Sequence, residues 1–397
     1  MRTMRVLLLE WTSACGRPRE ILPEGFGMLR TLCSGFTRAG HRVIVPISTG
    51  LQDHAAYLEA DTLIPLDGDP MDELPAMCSD TDGVFVVAPE SHGTLVEATK
   101  RVSSESTLLS CPAETVAALG DKPTACEIAS SLADHLKIPE YRVVKSEGGE
   151  ILEAAREIGL PAVVKPTDGA GCAGSTVLRS LKDCRAAVGK LASGSWETAI
   201  VQELLQGRHL SASFVATGED VIPLTINTQS MNLTQDLEYM GGSCPYPFPA
   251  EGIWQDIGEI VSENGFTGLM SMDFISSRDS SYFIEINPRM TTSCIGISKI
   301  LRGNLASLIT RESGDNKLDG YARWMTLPLT KTISPDRSLL AELFNNPAIV
   351  TPPFPVGPYY MRNVSKVLAC VHANDSLELP QRMNQARSWL CERHMSC

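Results

Sequence analysis

Short, wholly apolar runs recur along the first quarter of the chain, separated by polar stretches with helical spacing. Val6-Leu-Leu-Leu9 shows no polar alternation, which is how a parallel strand covered on both faces reads. Gly27 to Ala39 carries a helical pattern closed by Gly40, and Arg42-Val-Ile-Val-Pro46 is a second strand. Gly83-Val-Phe-Val-Val87 is a third, running into Ala88-Pro-Glu-Ser-His92 before a helix from Thr94. This alternation predicts a small doubly wound α/β domain over residues 1–110. Ligands sit beyond the carboxyl ends of such strands, so Glu10-Trp-Thr-Ser13 and Pro89-Glu-Ser-His92 are candidate site loops. No GxGxxG follows the first strand, which argues against a dinucleotide.

A second block, 111–197, pairs a helix after Lys122 with the strand Tyr141–Lys145, a helix over Ile151–Ile158 and the strand Ala162–Lys165. The loop Thr167-Asp-Gly-Ala-Gly-Cys-Ala-Gly-Ser175 follows, then a strand and a helix over Leu181–Leu191. The third block, 198–310, reads as antiparallel strands with one helix, Trp254–Asn264. The remainder, 311–397, holds a Pro-rich loop (Pro352–Pro358), a strand near Val364–Val371 and a helix near Pro380–Leu390, with no catalytic signature.

Within the third block, Gly268-Leu-Met-Ser-Met-Asp-Phe-Ile275 and Tyr282-Phe-Ile-Glu-Ile-Asn287 flank a polar turn and predict an antiparallel hairpin. Residues two apart share a strand face, so Glu285 and Asn287 project together, and Asp273 can face the same way. Two carboxylates and an amide oxygen are hard oxygen ligands of the kind Mg²⁺ or Mn²⁺ uses beside substrate phosphates. A polar strand face open to water is the competing reading.

Composition narrows the partners. The 397 residues suffice for two or three domains, and 34 Lys and Arg stand against 47 Asp and Glu, a net charge of −13. That balance argues against nucleic acid or an anionic membrane. No apolar run has the length of a membrane span, and Met1-Arg-Thr-Met-Arg5 leads into a strand rather than a signal peptide. The twelve cysteines form no CxxC pair, and Cys33, Cys126 and Cys370 lie in core-like runs, as suits reduced thiols in a cytoplasm. Cys391-x-x-His394-x-x-Cys397 is a weak zinc candidate without a fourth ligand.

Three glycines, Gly169, Gly171 and Gly174, let backbone N–H groups approach an anion. Lys165 at the end of an apolar strand would complement a phosphate, and Lys122 opens a helix whose N-terminus already favours anions. The strand Ala199-Ile-Val-Gln-Glu-Leu-Leu-Gln-Gly207 turns polar at Gln202-Glu203 and could meet an adenine edge. An edge strand ending in an ordinary turn fits that stretch equally well.

Taken in order, Lys122, then Lys165 with the glycine loop, then the strand with Gln202-Glu203, then Asp273 and Glu285-Ile-Asn-Pro-Arg289 resemble the ATP-grasp superfamily over about residues 110–310. Residues 1–110 resemble the domain that precedes the grasp. The resemblance implies an α/β fold in which two α+β subdomains grip ATP, followed by a C-terminal α+β extension. It implies that Lys122 and Lys165 contact ATP phosphates and that Gly169, Gly171, Gly174 and Ser175 belong to a loop closing over the β- and γ-phosphates. Gln202 would bind the adenine amino group, with the backbone of Glu203 and Leu205 reading the rest of the edge. Asp273, Glu285 and Asn287 would bind two divalent ions, and Arg289 would act catalytically on the transferring phosphoryl group. Two positions depart from the pattern: His209 stands where a ribose-holding Glu is common, and Ser271 where many amide-forming members have Arg.

Leu9–Gly16, Ile21–Gly25, Leu224–Gln229, Tyr239–Gly242 and Asn287–Ser293 carry a closer resemblance, to the ligases that join tyramine to glutamate in methanofuran biosynthesis. It implies a carboxylate–amine ligase that makes an amide, ADP and phosphate through an acyl phosphate. Glu10 and Glu24 are then candidates for a substrate ammonium, and Thr291, Thr292 and Ser293 for a carboxylate. Another amino acid or amine, or a non-catalytic ATP-binding regulator, are the rival expectations. The expected partners are small molecules, and a homodimer is left open.

Overall fold

The computed structural model describes residues 3–278, 280–312, 315–330, 332–356 and 364–393. Its first sheet is parallel throughout, with strands in the order Thr62–Leu66, Arg42–Ser48, Arg5–Glu10, Gly83–Val87. Alternate residues of the first strand feed two cores. Val6 and Leu8 pack with Phe26, Leu29 and Phe36 of the helix Leu22–Arg38, while Leu7 and Leu9 pack with Leu74, Met77, Leu95 and Val102. Burial on both faces is why this strand lacks polar alternation. The edge strand Thr62–Leu66 and the helix Pro70–Cys78 escaped the sequence reading. Pro65 and the half-exposed positions of that strand weaken its apolar signal. The helix expected from Gly27 begins at Leu22. Gly25 inside it is required, because a Cβ there would lie 2.1 Å from Thr12 Oγ1 and 2.6 Å from Glu10 Oε1.

The glycine-loop subdomain is a four-stranded antiparallel sheet ordered Tyr141–Lys145, Thr198–Glu203, Ala162–Pro166, Thr176–Leu178. Helices Gly148–Ile158 and Cys184–Ser193 cover it around Ile151, Ala155, Val164, Leu191 and Val201. The strand Thr198–Glu203, assigned from sequence to the next block, is central here, so that boundary moves past Glu203. Its Ala199, Ile200 and Val201 are fully buried between the two flanking strands.

The remaining body is one nine-stranded sheet ordered Phe354–Val356, Val364–Ala373, Tyr321–Leu329, Leu237–Cys244, Val221–Leu233, Arg208–Thr217, Thr267–Ser277, Ser280–Asn287, Leu136–Lys137. The segment beyond residue 311 is therefore not a separate extension. Its strands continue the sheet that carries the hairpin of Asp273 and Glu285, and they share a core with the first domain through Phe26, Ile295, Trp324, Phe354 and Leu368. Arg30 reinforces that junction by donating to the carbonyls of Ile349 and Val350, each at 2.9 Å. Phe354–Val356, inside the expected Pro-rich loop Pro352–Pro358, is a strand, while residues 357–363 lie outside the described residues, as do His394 and Cys397 of the expected zinc cluster. Among the described residues no helix is long and apolar enough to cross a membrane.

Asp256, 0% exposed on the helix Glu251–Asn264, fixes the far edge of the sheet. Its carboxylate accepts from the backbone N–H groups of Asp134 (3.1 Å), His135 (3.0 Å) and Leu136 (2.8 Å), and its Oδ1 lies 2.9 Å from His135 Nδ1. Truncation would strand those donors at the sheet edge. Asp256→Ala should lower stability by about 3 kcal/mol, read as a shift in urea midpoint. A change below about 0.5 kcal/mol, the usual surface effect, would show that the edge holds without it.

Candidate active site

The hairpin forms as the alternation requires. Asp273 lies directly opposite Glu285, Ser271 opposite Asn287, and a bulge follows Asp273. Both carboxylates and the Asn287 amide thereby turn toward one cavity of about 350 Å³, which they line with Lys122, Lys165, the glycine loop, Gln202, His209 and Arg289. The cavity lies between the antiparallel sheet, the large sheet and the strand ends of the first domain.

Lys122 is the first residue of the helix Lys122–Leu132, whose N-terminus is capped by Asp121 accepting from the Thr124 N–H at 3.1 Å. Its Nζ stands 3.2 Å from Glu285 Oε2 and donates to the Gly169 carbonyl at 2.6 Å. Its own N–H donates to the Thr167 carbonyl at 2.9 Å. One lysine thus joins helix, glycine loop and hairpin. Burial alone would raise the Glu285 carboxyl, but Lys122 and Lys165 outweigh it and hold that pKa below the ordinary value. Burial lowers the Lys165 pKa, with Glu285 opposing. Asp273 has no lysine of its own. Burial, and then the charge of Glu285, push its carboxyl up to about 7, against hydrogen bonds from Gln229 and Asn287.

That imbalance suits a divalent cation. A carboxylate held by burial and a like charge against its ionised form gains most when a dication arrives. Among the described residues no group of three or more His, Cys, Asp or Glu side chains is placed to hold a metal. The hairpin offers two carboxylates and one amide oxygen, so phosphate oxygens and water must complete any coordination shell, as is usual for Mg²⁺.

The glycine loop is shaped for close approach. Gly171 (φ 59°) and Gly174 (φ 74°) occupy the left-handed region, and a Cβ on Gly174 would meet Pro166 Cγ at 2.7 Å. The Ala173 and Ser175 N–H groups close successive turns onto the Ala170 and Cys172 carbonyls. Lys190 donates to the Ser175 carbonyl at 3.0 Å and pairs with Asp236, tying the loop's end to the large sheet. At the opposite end of the cavity, Gln202 Nε2 and His209 Nε2 are buried without a partner. Burial lowers the His209 pKa, so its ring is neutral at pH 7 and able to meet a hydroxyl. Two orphaned polar nitrogens in one cavity wall fit a base and its ribose. Glu203 has its N–H and carboxylate both engaged by the Glu140 backbone, each at 3.0 Å.

The structure corrects several expected roles. Glu10, a candidate for a substrate ammonium, is instead the helix cap of Trp11–Cys15. Its carboxylate accepts from the Thr12 N–H and hydroxyl and from the Ser13 N–H and hydroxyl, the last at 2.5 Å. Ser293 is drawn inward, 2.9 Å from Ser213 Oγ and 2.8 Å from Thr291 Oγ1, and Thr292 donates to Tyr239 Oη at 3.2 Å. Those hydroxyls are therefore already engaged. Arg289 stands beside Asn287 Oδ1 (3.5 Å) but also forms a bidentate pair with Glu90, at 2.8 and 3.0 Å. Sequence reasoning had placed Pro89–His92 at the site without a partner for Arg289. The same loop donates its His92 N–H to Asp168 of the glycine loop at 2.7 Å, and the His92 ring stacks on Trp196. Gln229 and the strands beyond residue 311 were also missed as site residues.

Residues 125–293 match the family model of the ATP-grasp domain. The chain carries an ATP-grasp domain on the ATP-grasp fold, inside the stretch 110–310 read from the motifs. A tyramine–L-glutamate ligase of Methanocaldococcus jannaschii is 23% identical over 320 residues, covering 79% of this chain and 90% of the relative. An ATP-grasp superfamily protein from Archaeoglobus fulgidus superposes with a TM-score of 0.64 at 18% identity, over 94% of this chain and all of that one. The biotin carboxylase domain dimer of Hydrogenobacter thermophilus 2-oxoglutarate carboxylase, in complex with MgADP, ADP and bicarbonate, gives 0.67 at 14% identity, over 94% and 87% of the two chains.

The Arg289–Glu90 pair, at 12% and 7% side-chain exposure, bridges first domain and hairpin. Glu90→Ala leaves a buried guanidinium unpaired and should cost about 3–5 kcal/mol. Adding Arg289→Met should restore much of that loss, because the uncompensated charge goes with it. Additive losses in the double variant, measured by urea unfolding, would show that the two residues do not act as a pair.

Proposed function

We propose that this protein is an ATP-dependent carboxylate–amine ligase that joins glutamate, through its side-chain carboxylate, to tyramine, releasing ADP and phosphate. The carrying observation is the convergence of Asp273, Glu285 and Asn287 with Lys122 and Lys165 on one cavity. Phosphoryl transfer asks the protein for positioning and charge neutralisation rather than for a covalent nucleophile. Asp273, Glu285 and Asn287 would hold two Mg²⁺ or Mn²⁺ ions, which when bound neutralise phosphate charge.

In this reading Lys165 and Lys122 line the phosphates, with Lys122 moving its ammonium from the Gly169 carbonyl to share it with a phosphate oxygen. Gly169, Gly171 and Gly174 bring backbone N–H groups over the terminal phosphates, and Ser175 adds its hydroxyl at the loop's end. Gln202 and His209 turn their unpartnered nitrogens to adenine and ribose, and the carbonyl of Glu203 with the backbone of Leu205 reads the base edge. Arg289, held in place by Glu90, faces the phosphoryl group as the substrate carboxylate attacks. The amine then attacks the acyl carbon, phosphate leaves, and the amine's surplus proton passes to phosphate or water. The choice of glutamate and tyramine draws support from the Methanocaldococcus ligase.

With glutamate, tyramine, ATP and Mg²⁺, ADP and phosphate should appear in step with an amide at the side-chain carboxylate. Hydroxylamine in place of tyramine should trap the activated carboxylate as a hydroxamate. Glu285→Gln should retain the fold and lose on the order of 10²–10³ in rate. Turnover with another amine but none with tyramine would remove the substrate assignment. AMP as the product, or full activity in Glu285→Gln, would remove the mechanism.

A further inference from the structure

Glu24, already a candidate for a substrate ammonium, shares its side of the cavity with residues that no motif marked. Glu24, on the helix Leu22–Arg38, accepts from Thr326 Oγ1 at 2.9 Å through Oε1, while its Oε2 is buried without a partner. Lys366 and Glu238 line the same cavity and pair at 2.7 Å. Glu238, Thr326 and Lys366 sit on three adjacent strands of the large sheet, Leu237–Cys244, Tyr321–Leu329 and Val364–Ala373. The helix bearing Glu24 packs across them, with Gly27 so close to the sheet that a Cβ would fall 2.7 Å from Leu368.

We propose that Glu24, Thr326, Glu238 and Lys366 form the subsite for the zwitterionic end of an α-amino acid, its ammonium on Glu24 and its carboxylate on Lys366. This rests on the ligase reading for the place where the other end of the substrate reacts. A carboxylate with one oxygen fixed and the other unpaired is a ready acceptor for an ammonium group, and leaving it unpaired is costly. Burial raises the Glu24 pKa, with Lys366 opposing and Glu238 adding to the rise, and an arriving cation would relieve that strain on its charge. A simple amine would satisfy Glu24 and leave Lys366 unused. A zwitterion uses both. Glu238 is 42% exposed, and an ion pair so open to water is weak, so Lys366 can exchange it for a substrate carboxylate. Met28 and Leu237 line the same cavity and give it apolar surface able to carry the methylenes of a side chain.

The test is the hydroxamate assay with ATP, Mg²⁺ and hydroxylamine, run on glutamate, N-acetylglutamate, glutamate α-amide and 4-aminobutyrate. Wild type should prefer glutamate over each of the others by at least roughly tenfold in kcat/KM. Glu24→Gln should raise the KM for glutamate about 10–100-fold while erasing the penalty for N-acetylation. Lys366→Met should do the same for the α-amide and for 4-aminobutyrate. In both variants KM for ATP should stay near wild type, which a merely unfolded or distorted protein would not show. Unchanged discrimination in both variants, or a rise confined to the KM of the amine co-substrate, overturns the subsite and leaves the ligase standing. If no carboxylate is activated by wild type, the ligase reading falls. Calorimetric titration of wild type and the two variants with glutamate alone then decides the subsite: binding lost in both variants upholds it, and no binding or unchanged binding overturns it.

Discussion

A single buried ammonium group organises this site. Lys122 reaches Glu285 on the hairpin and the Gly169 carbonyl on the loop, while its backbone holds the start of that loop. Each of these groups would be costly to bury alone. Brought together they compensate one another, except at Asp273, where burial and the charge of Glu285 work against the ionised form. Two elements distant in sequence meet the hairpin there, and Asp273 is the carboxylate whose ionised form its surroundings favour least.

The hairpin and the glycine loop were legible because their signals are local. Apolar runs bounded by Ser and Asp define the hairpin, and period-two spacing alone puts Glu285 beside Asn287. Likewise Val6–Leu9 could be read as a doubly covered strand because both faces of it are buried. What stayed hidden depends on tertiary pairing. Nothing near Thr198 shows that its strand lies between Tyr141–Lys145 and Ala162–Pro166, nor does Glu90 announce a partner about two hundred residues away. Glu10 misled for the opposite reason. An acidic residue at a strand end looks like a site residue, yet Thr12 and Ser13 follow it closely enough to consume its oxygens as a helix cap.

The first domain does more than precede the grasp. Its loop Pro89–His92 holds Arg289 through Glu90 and the glycine loop through His92, so one turn touches both jaws of the cavity. The helix Leu22–Arg38 is its second point of engagement, carrying Glu24 into the cavity wall and burying Phe26 against Phe354. The first domain is thereby tied to both sides of the cavity.

The continuity of the nine-stranded sheet has a consequence for how the protein is made. The helix Leu22–Arg38 emerges early from the ribosome, but the face it buries is completed only by strands ending at Ala373. At about 5–20 residues per second, synthesis leaves Phe26 and Leu29 without their final neighbours for some tens of seconds. The hairpin and glycine loop are finished well before that moment. The nascent chain therefore holds Lys122, the glycine loop and the hairpin before Lys366, the last residue in sequence of the cavity lining, has been made.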